Sequence, residues 1–311
     1  MTTASAIEVR GLIKRYGDHT AVDGVDLTIE SGEIFAFLGP NGAGKTTTIE
    51  ILEGYRDRDG GDVTVLGEDP ATASREWRER LGIVLQESEI EAELTAREAV
   101  TMHAAYFANH LNPDEVLELV GLASHAEHRA KKMSGGQKRR LDLALALVGN
   151  PDLVFLDEPT TGFDPGARRE SWGMIENLRE LGRTVLLTTH YMDEAEHLAD
   201  RIAVIADGQI VARGTAADLA NQVDARPVIS WKAESLAGLP GGLPDAAIND
   251  GVASLETNDV VDVVHALTTW SRNGGPSLDD LQIIQPTLED VYLRLVGSTG
   301  SGSSSTEGAV S

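Results

Sequence analysis

A glycine-rich segment near residue 40 limits the folds open to this chain more than any other feature. Residues 39–46 read GPNGAGKT, which satisfies the pattern Gly-x-x-x-x-Gly-Lys-Ser/Thr. The segment lies between a predicted buried strand, Ile34–Leu38, and a predicted helix, residues 46–53. Glycines let such a loop turn tightly, so that its backbone N–H groups and the N-terminal end of the helix converge on an anion. The sequence therefore predicts an α/β fold that binds the phosphates of a nucleotide.

The side chains of this loop have separate predicted roles. Lys45 is expected to reach the β- and γ-phosphates, Thr46 to ligate magnesium, and Thr47 to donate to a neighbouring phosphate oxygen. The other phosphate contacts are expected to come from the rest of the loop: Gly39, Pro40, Asn41, Gly42, Ala43 and Gly44. A chance match is disfavoured, because the strand and the helix that the motif requires flank it on both sides.

A second polar site follows the apolar strand predicted at residues 153–156. The strand ends in Asp157 and Glu158, and a strand that enters a nucleotide cleft delivers its carboxylate to magnesium. Glu158 is then placed to orient or deprotonate the water that attacks the γ-phosphate. Acidic strand ends carry little weight alone, because the chain has 50 acidic against 26 basic residues and a formal net charge of −24. Beside a phosphate loop, however, the pair predicts a hydrolytic site.

The segment 133–137 precedes a predicted amphipathic helix at residues 138–148. Ser134 is a favoured N-cap residue, and the amides that follow it form a second potential anion site at a helix N-terminus. On the same helix, Arg139 and Arg140 could approach a phosphate, but a solvated helix face is the interpretation that we favour. A chain with one phosphate loop needs a reason for a second anion site.

In combination, these motifs resemble the ATP-binding cassette (ABC) family over residues 7–215. The resemblance implies that the nucleotide is ATP, bound with Mg²⁺, and that two cassettes pair head to tail. The family's signature sequence corresponds here to Ser134, Gly135, Gly136 and Gln137. Ser134 and Gly136 of one copy would then touch the γ-phosphate held by Lys45 of the other. Met133 stands where leucine is usual, an apolar exchange that leaves the polar atoms of the signature intact.

Four further residues match family positions in the expected order. Tyr16 matches the aromatic residue that stacks on adenine, and Gln86 matches the glutamine that reaches magnesium and the attacking water. Asp164 matches the loop that crosses the dimer, with Phe163 in place of the usual leucine, and His190 matches the histidine that contacts the γ-phosphate. The implied catalytic set is Glu158, His190, Gln86 and Lys45, and the implied magnesium set is Thr46, Gln86 and Asp157.

The pattern of the chain also predicts its domains. Helical periodicity without a convincing strand at residues 95–120 predicts a helical subdomain, at about residues 88–150, inserted into an ATP-binding domain of residues 1–215. Residues 216–297 predict a small α+β accessory domain, and residues 298–311, mostly Gly, Ser and Thr, predict a disordered tail. The predicted strands of the small domain are 228–231, 254–257 and 281–284, and its predicted helices are 260–270 and 287–295.

Two segments, residues 189–196 and 286–293, resemble the drug-resistance type of ABC exporter. The resemblance implies an ATPase subunit that forms a homodimer beneath separate membrane permease subunits and drives export. No apolar stretch approaches the ~18 residues of a membrane span, so we expect a cytoplasmic protein held peripherally at the cell membrane by its permease. The permease contact is implied to lie near residues 86–92 and on the helical segment that follows.

Other functions stay open on the sequence alone. A cassette regulator without turnover is disfavoured by the presence of both Glu158 and His190, and an importer ATPase differs only in the C-terminal domain. DNA-maintenance ATPases of the same superfamily insert long coiled coils before the signature, whereas Gln86 and Ser134 are fewer than fifty positions apart. The acidic composition also disfavours nucleic acid as a partner. Ribosome-acting relatives carry two cassettes in one chain, and here there is one.

Overall fold

Residues 5–84, 90–233, 235–237, 239–275, 277–278 and 280–300 are described by the computed structural model of the chain. The chain divides into two units, Met1–Thr215 and Ala216–Ser311. Gln86, predicted to reach magnesium and the attacking water, lies outside the described residues. Among the described residues, no helix is long and apolar enough to cross a membrane.

The first unit combines strands and helices in alternation. Its strands are β1 (Ser5–Tyr16), β2 (His19–Glu30), β3 (Ile34–Leu38), β4 (Gly60–Val65), β5 (Leu81–Val84), β6 (Leu153–Asp157), β7 (Thr184–Thr188), β8 (Arg201–Ala206) and β9 (Gln209–Gly214). Its α-helices are α1 (Lys45–Leu52), α2 (Arg75–Glu79), α3 (Ala96–Ala104), α4 (Pro113–Leu119), α5 (Gly135–Val148), α6 (Pro165–Glu180) and α7 (Met192–Leu198). The predicted strand at Ile34–Leu38 is confirmed residue for residue, and the predicted helix at 46–53 is confirmed with both ends one residue earlier.

The central sheet has six strands in the order β5-β6-β7-β3-β8-β9. The first five run parallel, and β9 is antiparallel to β8. All residues of β3 and β7 are buried, as expected of strands covered on both faces. The carboxyl ends of β3, β6 and β7 meet at one edge, which therefore collects the phosphate loop, the acid pair and the segment leading to His190.

A second, antiparallel sheet of the first unit has the order β2-β1-β4. Its long hairpin was not predicted. Strand β1 ends at Tyr16, which pairs with His19 at the start of β2 across a tight turn. The apolar side of the hairpin joins the main hydrophobic core through residues such as Ile7, Leu12 and Val25. The hairpin tip is thereby fixed to the core, and it carries Tyr16 to the cleft described below.

Between β5 and β6, the described residues 90–152 form the three helices α3, α4 and α5 and two short 3-10 turns. Local capping explains where these helices begin: Thr95 and Glu98 form a reciprocal capping box, and Asn112 caps α4 ahead of Pro113. Helices α3 and α4 both pack on α5, whose buried face includes Leu141 and Ala144. This helical region carries the predicted signature at the start of α5.

The second unit is a small α+β arrangement. Its elements are α8 (Ala216–Gln222), β10 (Val228–Lys232), β11 (Ala247–Asn249), β12 (Val252–Glu256), α9 (Val260–Arg272), β13 (Gln282–Ile284) and α10 (Leu288–Gly300). The antiparallel sheet has the order β11-β12-β10-β13 and packs through Trp231 and Leu255 on Leu267 of α9. Helix α10 runs to Gly300, so the prediction of a disordered tail from residue 298 was wrong for three residues. Extending an existing helix costs little, because each added residue gains one hydrogen bond.

Candidate functional site

A cleft of about 770 Å³ opens at the carboxyl edge of the six-stranded sheet. Its lining residues come from the hairpin tip, the phosphate loop, helix α1, the end of β6 and the segment after β7. They are Tyr16, His19, Ala21, Asn41, Gly42, Gly44, Lys45, Thr46, Thr47, Asp157, Glu158 and His190. Most of the residues predicted for nucleotide binding and hydrolysis are thus brought together in one cavity. His19, which belongs to no recognised motif, also lines it.

The phosphate loop has the backbone geometry that its glycines permit. Gly42 and Gly44 lie in the left-handed region, with φ of 82° and 105°. Gly39 is in close contact with its neighbour, because a Cβ at this position would lie 2.3 Å from the carbonyl oxygen of Ile205. Helix α1 then begins at Lys45, so its free N–H groups face the loop. The result is a cradle of backbone donors suited to phosphate.

Lys45 is 8% exposed, and its Nζ donates to the carbonyl oxygens of Gly39 at 2.6 Å and of Pro40 at 3.1 Å. Burial lowers the pKa of Lys45, while the carboxylates of Glu158 and Asp157 act in the opposite direction. The ammonium therefore lies between the loop and the acid pair. This position suits a cation that compensates the charge of phosphate groups.

The acid pair is held by the neighbouring strand β7. The hydroxyl of Thr188 donates to Asp157, and the N–H of Glu158 donates to the carbonyl and hydroxyl oxygens of Thr188, both at 3.1 Å. The carboxylate of Glu158 accepts a hydrogen bond from the hydroxyl of Thr161 at 3.0 Å and lies 3.4 Å from Nδ1 of His190. Two predicted catalytic residues, Glu158 and His190, are therefore in direct contact.

Glu158 has a strained backbone. Its φ of 46° lies in the left-handed region, which costs a non-glycine residue on the order of 1–3 kcal/mol. Such a conformation persists only where the surrounding structure fixes it. Part of that constraint comes from Thr188, and a second part comes from Arg139 of helix α5, whose guanidinium contacts the carbonyl oxygens around Glu158.

Arg139 corrects one sequence-based interpretation. A solvated helix face was expected, but Arg139 is partly buried and donates to the carbonyl oxygens of Asp157, Glu158 and Pro159. Thr161 and Thr188 were also missed as residues of the site. No local pattern could have identified Arg139 and Thr188, because their partners lie in distant segments of the chain. Thr161 binds Glu158 only three positions away, but no motif singles it out.

The aromatic end of the cleft is formed by Tyr16. The guanidinium of Arg56 lies 5.4 Å from the Tyr16 ring centroid, and the Lys14 ammonium lies 5.7 Å from it. Arg56 is in turn paired with Glu50 of α1 at 2.6 Å. These cations fix one side of an exposed ring that can stack on a nucleobase.

The signature residues lie elsewhere. Ser134 caps α5: its hydroxyl accepts from the Gln137 N–H at 3.2 Å, and its own N–H donates to the Gln137 side chain at 3.0 Å. Gly135 and Gly136 have open space beside them. Asp164 caps α6 through the N–H groups of residues 166 and 167. None of these residues lines the cleft of the same chain.

The oxygen donors in the cleft fit magnesium. Thr46 offers a hydroxyl and Asp157 a carboxylate, the hard ligands that Mg²⁺ prefers. Within the described residues, no group of three or more His, Asp or Glu side chains forms a complete protein cage for a metal ion. A partial donor set is typical of Mg²⁺ that is shared with substrate phosphates and water.

Comparison with known proteins places these motifs in one group. A family model described as ABC transporter matches residues 22–161. The daunorubicin resistance ATP-binding protein DrrA3 of Streptomyces coeruleorubidus is 38% identical, over 94% of this chain and 96% of its own length. The Nod factor export ATP-binding protein I of Burkholderia pseudomallei strain K96243 is 43% identical, over 96% and 92%.

Solved structures share the fold of the first unit. The dimeric, post-hydrolysis structure of the ATP-binding cassette MJ0796, bound to ADP and Pi, has a TM-score of 0.60 and 25% identity over 67% of this chain and 98% of its own. CbiO1 from Clostridium perfringens, part of the ABC transporter complex cbiONQ, has a TM-score of 0.62 and 28% identity over 68% and 88%.

Proposed function

The chain belongs to the ABC transporter family of ATP-binding proteins, and we propose that two copies of it form the motor of an exporter. Like its drug-resistance and Nod-factor-export relatives in that family, the chain is an ATP-binding and ATP-hydrolysing subunit of an exporter-type transporter. The observation that carries the proposal is the contact between Glu158 and His190 inside a cleft that also contains the phosphate loop.

In this proposal, adenine stacks on Tyr16, and the phosphates lie on the loop with Lys45 beside them. Magnesium would be held by Thr46 and Asp157 and would supply charge compensation for the phosphates. Glu158 takes a proton from water as the water oxygen bonds to the γ-phosphorus. The bond from that phosphorus to the bridging oxygen breaks, which leaves ADP and phosphate. His190 and Thr161 hold the Glu158 carboxylate in the geometry that this step needs.

The pairing of two copies explains the signature. Ser134 caps a helix whose first amides face outward, and Gly136 leaves space beside them. Because these residues do not line their own cleft, we propose that they complete the cleft of a second copy, head to tail. Asp164, at the start of α6, would lie at the same interface. The dimeric cassette structure of MJ0796 supports this arrangement by similarity.

A separate groove is proposed to receive the membrane permease. It measures about 560 Å³ and is lined by Tyr55, by Phe107 just beyond α3, and by residues of β5 and α5. Tyr55 lines the groove and is 71% exposed. Tyr106, which precedes the lining residue Phe107 in the chain, is 63% exposed. Exposed aromatic side chains of this kind are typical of an interaction surface. We therefore propose that the groove holds a cytoplasmic segment of the permease and attaches the subunit to the membrane.

The groove can be tested with vesicles from the cells that make the protein. Tyr55→Asp combined with Tyr106→Asp is expected to abolish flotation with the vesicles while the isolated chain keeps its ATP turnover. Leu181→Asp, which changes an exposed apolar residue after α6, serves as the control and should float normally. Normal flotation of the double variant would contradict the docking site.

Hydrolysis is tested by ATP turnover of the purified chain with and without magnesium. Glu158→Gln keeps the size of the side chain but cannot accept the proton, so turnover should fall by on the order of 10²-fold or more, while binding of a fluorescent ATP analogue is retained. Asp152→Asn is the matched control, because it removes a carboxylate at the opposite end of the same strand. Wild-type turnover by Glu158→Gln would refute the assigned role.

A further inference from the structure

One guanidinium connects the signature helix to the backbone of the catalytic acids. Arg139 lies one turn into α5, which Ser134 caps. Its Nη2 donates to the carbonyl oxygen of Asp157 at 2.6 Å and to that of Glu158 at 3.2 Å. Its Nε donates to the carbonyl oxygen of Pro159 at 3.2 Å. Three consecutive carbonyls, which leave the end of β6, thus share one side chain.

These bonds lie where the chain is strained. Glu158 is in the left-handed region, so its carbonyl and its side chain point in directions that an ordinary strand end would not give. On one side, the Glu158 N–H is held by Thr188 of β7. On the other side, the carbonyls are held by Arg139. The direction of the Glu158 carboxylate therefore depends on both anchors, and only Arg139 belongs to the helical region.

Water is a poor substitute for this guanidinium. Arg139 lines a small cavity of about 20 Å³ with Leu143, Leu156 and Phe163. The lining is mostly apolar, so a water molecule that replaced the guanidinium would find few hydrogen-bond partners besides the carbonyl oxygens themselves. Removal of the guanidinium would therefore take this donor away from all three carbonyl oxygens, and that of Glu158 would keep the N–H of Thr161 at 3.2 Å. The turn at Glu158 would lose one of its anchors and relax.

We propose that Arg139 is a positioning residue for hydrolysis, which aims the Glu158 carboxylate by fixing the backbone of residues 157–159 to the helix that begins at the signature. This inference rests on the role proposed for Glu158. The helix that begins after Ser134 would then have two roles, because it would contact the nucleotide of the partner copy and also position the Glu158 carboxylate. When that helix is in place, the catalytic carboxylate is correctly placed, and a displacement of the helix displaces the carboxylate.

The test compares Arg139→Met, Arg139→Lys and Arg58→Met in the full chain. Met keeps the length of the side chain and removes all donors. Lys keeps the charge, but one ammonium cannot span three carbonyls. Arg58 is the control, because it also binds a backbone carbonyl, that of Gly61, and an acid, Asp69, away from the cleft. Each variant is assayed for kcat, for affinity towards a fluorescent ATP analogue, and for thermal unfolding.

Arg139→Met is expected to lower kcat by on the order of 10- to 100-fold, as expected for a misplacement of ~1 Å, with unchanged ATP affinity. Arg139→Lys is expected to stay well below wild type, and Arg58→Met is expected to keep wild-type kcat even if it unfolds at a lower temperature. Near-wild-type kcat in Arg139→Lys would overturn the proposal, since charge alone would then suffice. It would also be overturned if Arg58→Met lost kcat in proportion to Arg139→Met.

Two failures can be told apart. If the wild type has no turnover, the ATPase assignment fails. If the wild type is active and Glu158→Gln is inactive, but the Arg139 variants keep their kcat, only the positioning role fails. Should Arg139→Met not fold, Arg139→Lys, judged by the same criterion, decides the question.

Discussion

Replacing Glu53 by glutamine is predicted to stabilise the protein at neutral and alkaline pH and to have little effect in acid. Glu53 follows α1, lines the groove proposed for the permease and is 6% exposed. Burial, reinforced by repulsion from Asp157 and Glu50, raises the pKa of Glu53 from its ordinary 4.5 to about 8. The wild-type protein therefore folds with a carboxyl group that resists ionisation, whereas glutamine has the same shape and no charge.

The sign and size follow from proton linkage. Because the pKa of Glu53 is higher in the folded than in the unfolded chain, its stabilising contribution is complete below about pH 4.5 and is lost progressively up to about pH 8. Over that interval the loss amounts to roughly 5 kcal/mol, at about 1.4 kcal/mol per pKa unit, and to roughly 3 kcal/mol at pH 7. Glutamine escapes this loss, so its advantage should grow with pH and then level off.

Urea-induced unfolding of both proteins, followed by circular dichroism from about pH 4 to about pH 9, measures this difference. Glu79→Gln is the matched control, because it removes a carboxylate from a surface ion pair with Arg75 and should change stability by only ~0–1 kcal/mol. A difference between Glu53→Gln and wild type that stays constant across the pH range would refute the reasoning, since Glu53 would then ionise equally in the folded and unfolded chains.

Two further predictions concern the nucleotide cleft. Gly39→Ala is expected to abolish ATP binding in a fluorescence titration, because the new Cβ would lie 2.3 Å from the carbonyl oxygen of Ile205. Gly173→Ala, whose new Cβ would have nothing within 4 Å, should bind ATP normally. Equal binding of ATP by both variants would contradict the importance of the close contact at Gly39. Tyr16→Leu is expected to weaken ATP binding by on the order of tenfold or more through loss of ~1–3 kcal/mol of base stacking, and to leave the affinity for inorganic triphosphate unchanged. An equal loss for both ligands would place Tyr16 at the phosphates instead.

The sequence was most informative where a short pattern determines local structure. The strand Ile34–Leu38 is apolar throughout, and the glycines after it admit little besides a phosphate loop. Ser134 was predicted as an N-cap and forms a full capping box with Gln137. In such cases residue type and spacing alone determine the hydrogen bonds, because both partners lie within a few residues of each other.

The long hairpin of β1 and β2 could not be read in the same way. Ala6 and Ile7 are both buried although they are adjacent, and the register shifts repeatedly along the pair. Bulges of this kind break the alternation of apolar and polar residues that indicates a strand. The position of Tyr16 relative to the phosphate loop was therefore known only from the family resemblance until the structure was available.

The environment of the acid pair Asp157 and Glu158 could not be predicted from the sequence either. Nothing in the local pattern gives Glu158 a positive φ, and nothing indicates that Thr188 and Arg139 bind its backbone. Arg139 was interpreted as a solvated residue because a lone arginine on a helix usually faces water. Its true partners lie 18 to 20 positions away, and only the tertiary structure brings them within hydrogen-bond distance.

The central claim, that two copies complete each other's cleft, is tested most directly by mixing two inactive variants. Lys45→Ala disables the phosphate loop. Gly136→Asp should be tolerated within one copy, because a Cβ there meets nothing within 4 Å, but it places a carboxylate against the nucleotide of the partner. Each variant alone should lack ATP turnover. Mixed, they form pairs with one intact cleft, made by Lys45 of the Gly136→Asp copy and Gly136 of the Lys45→Ala copy, and turnover should return. Full activity of Gly136→Asp alone, or a mixture that stays inactive although co-purification of differently tagged copies shows mixed dimers, would contradict the shared cleft.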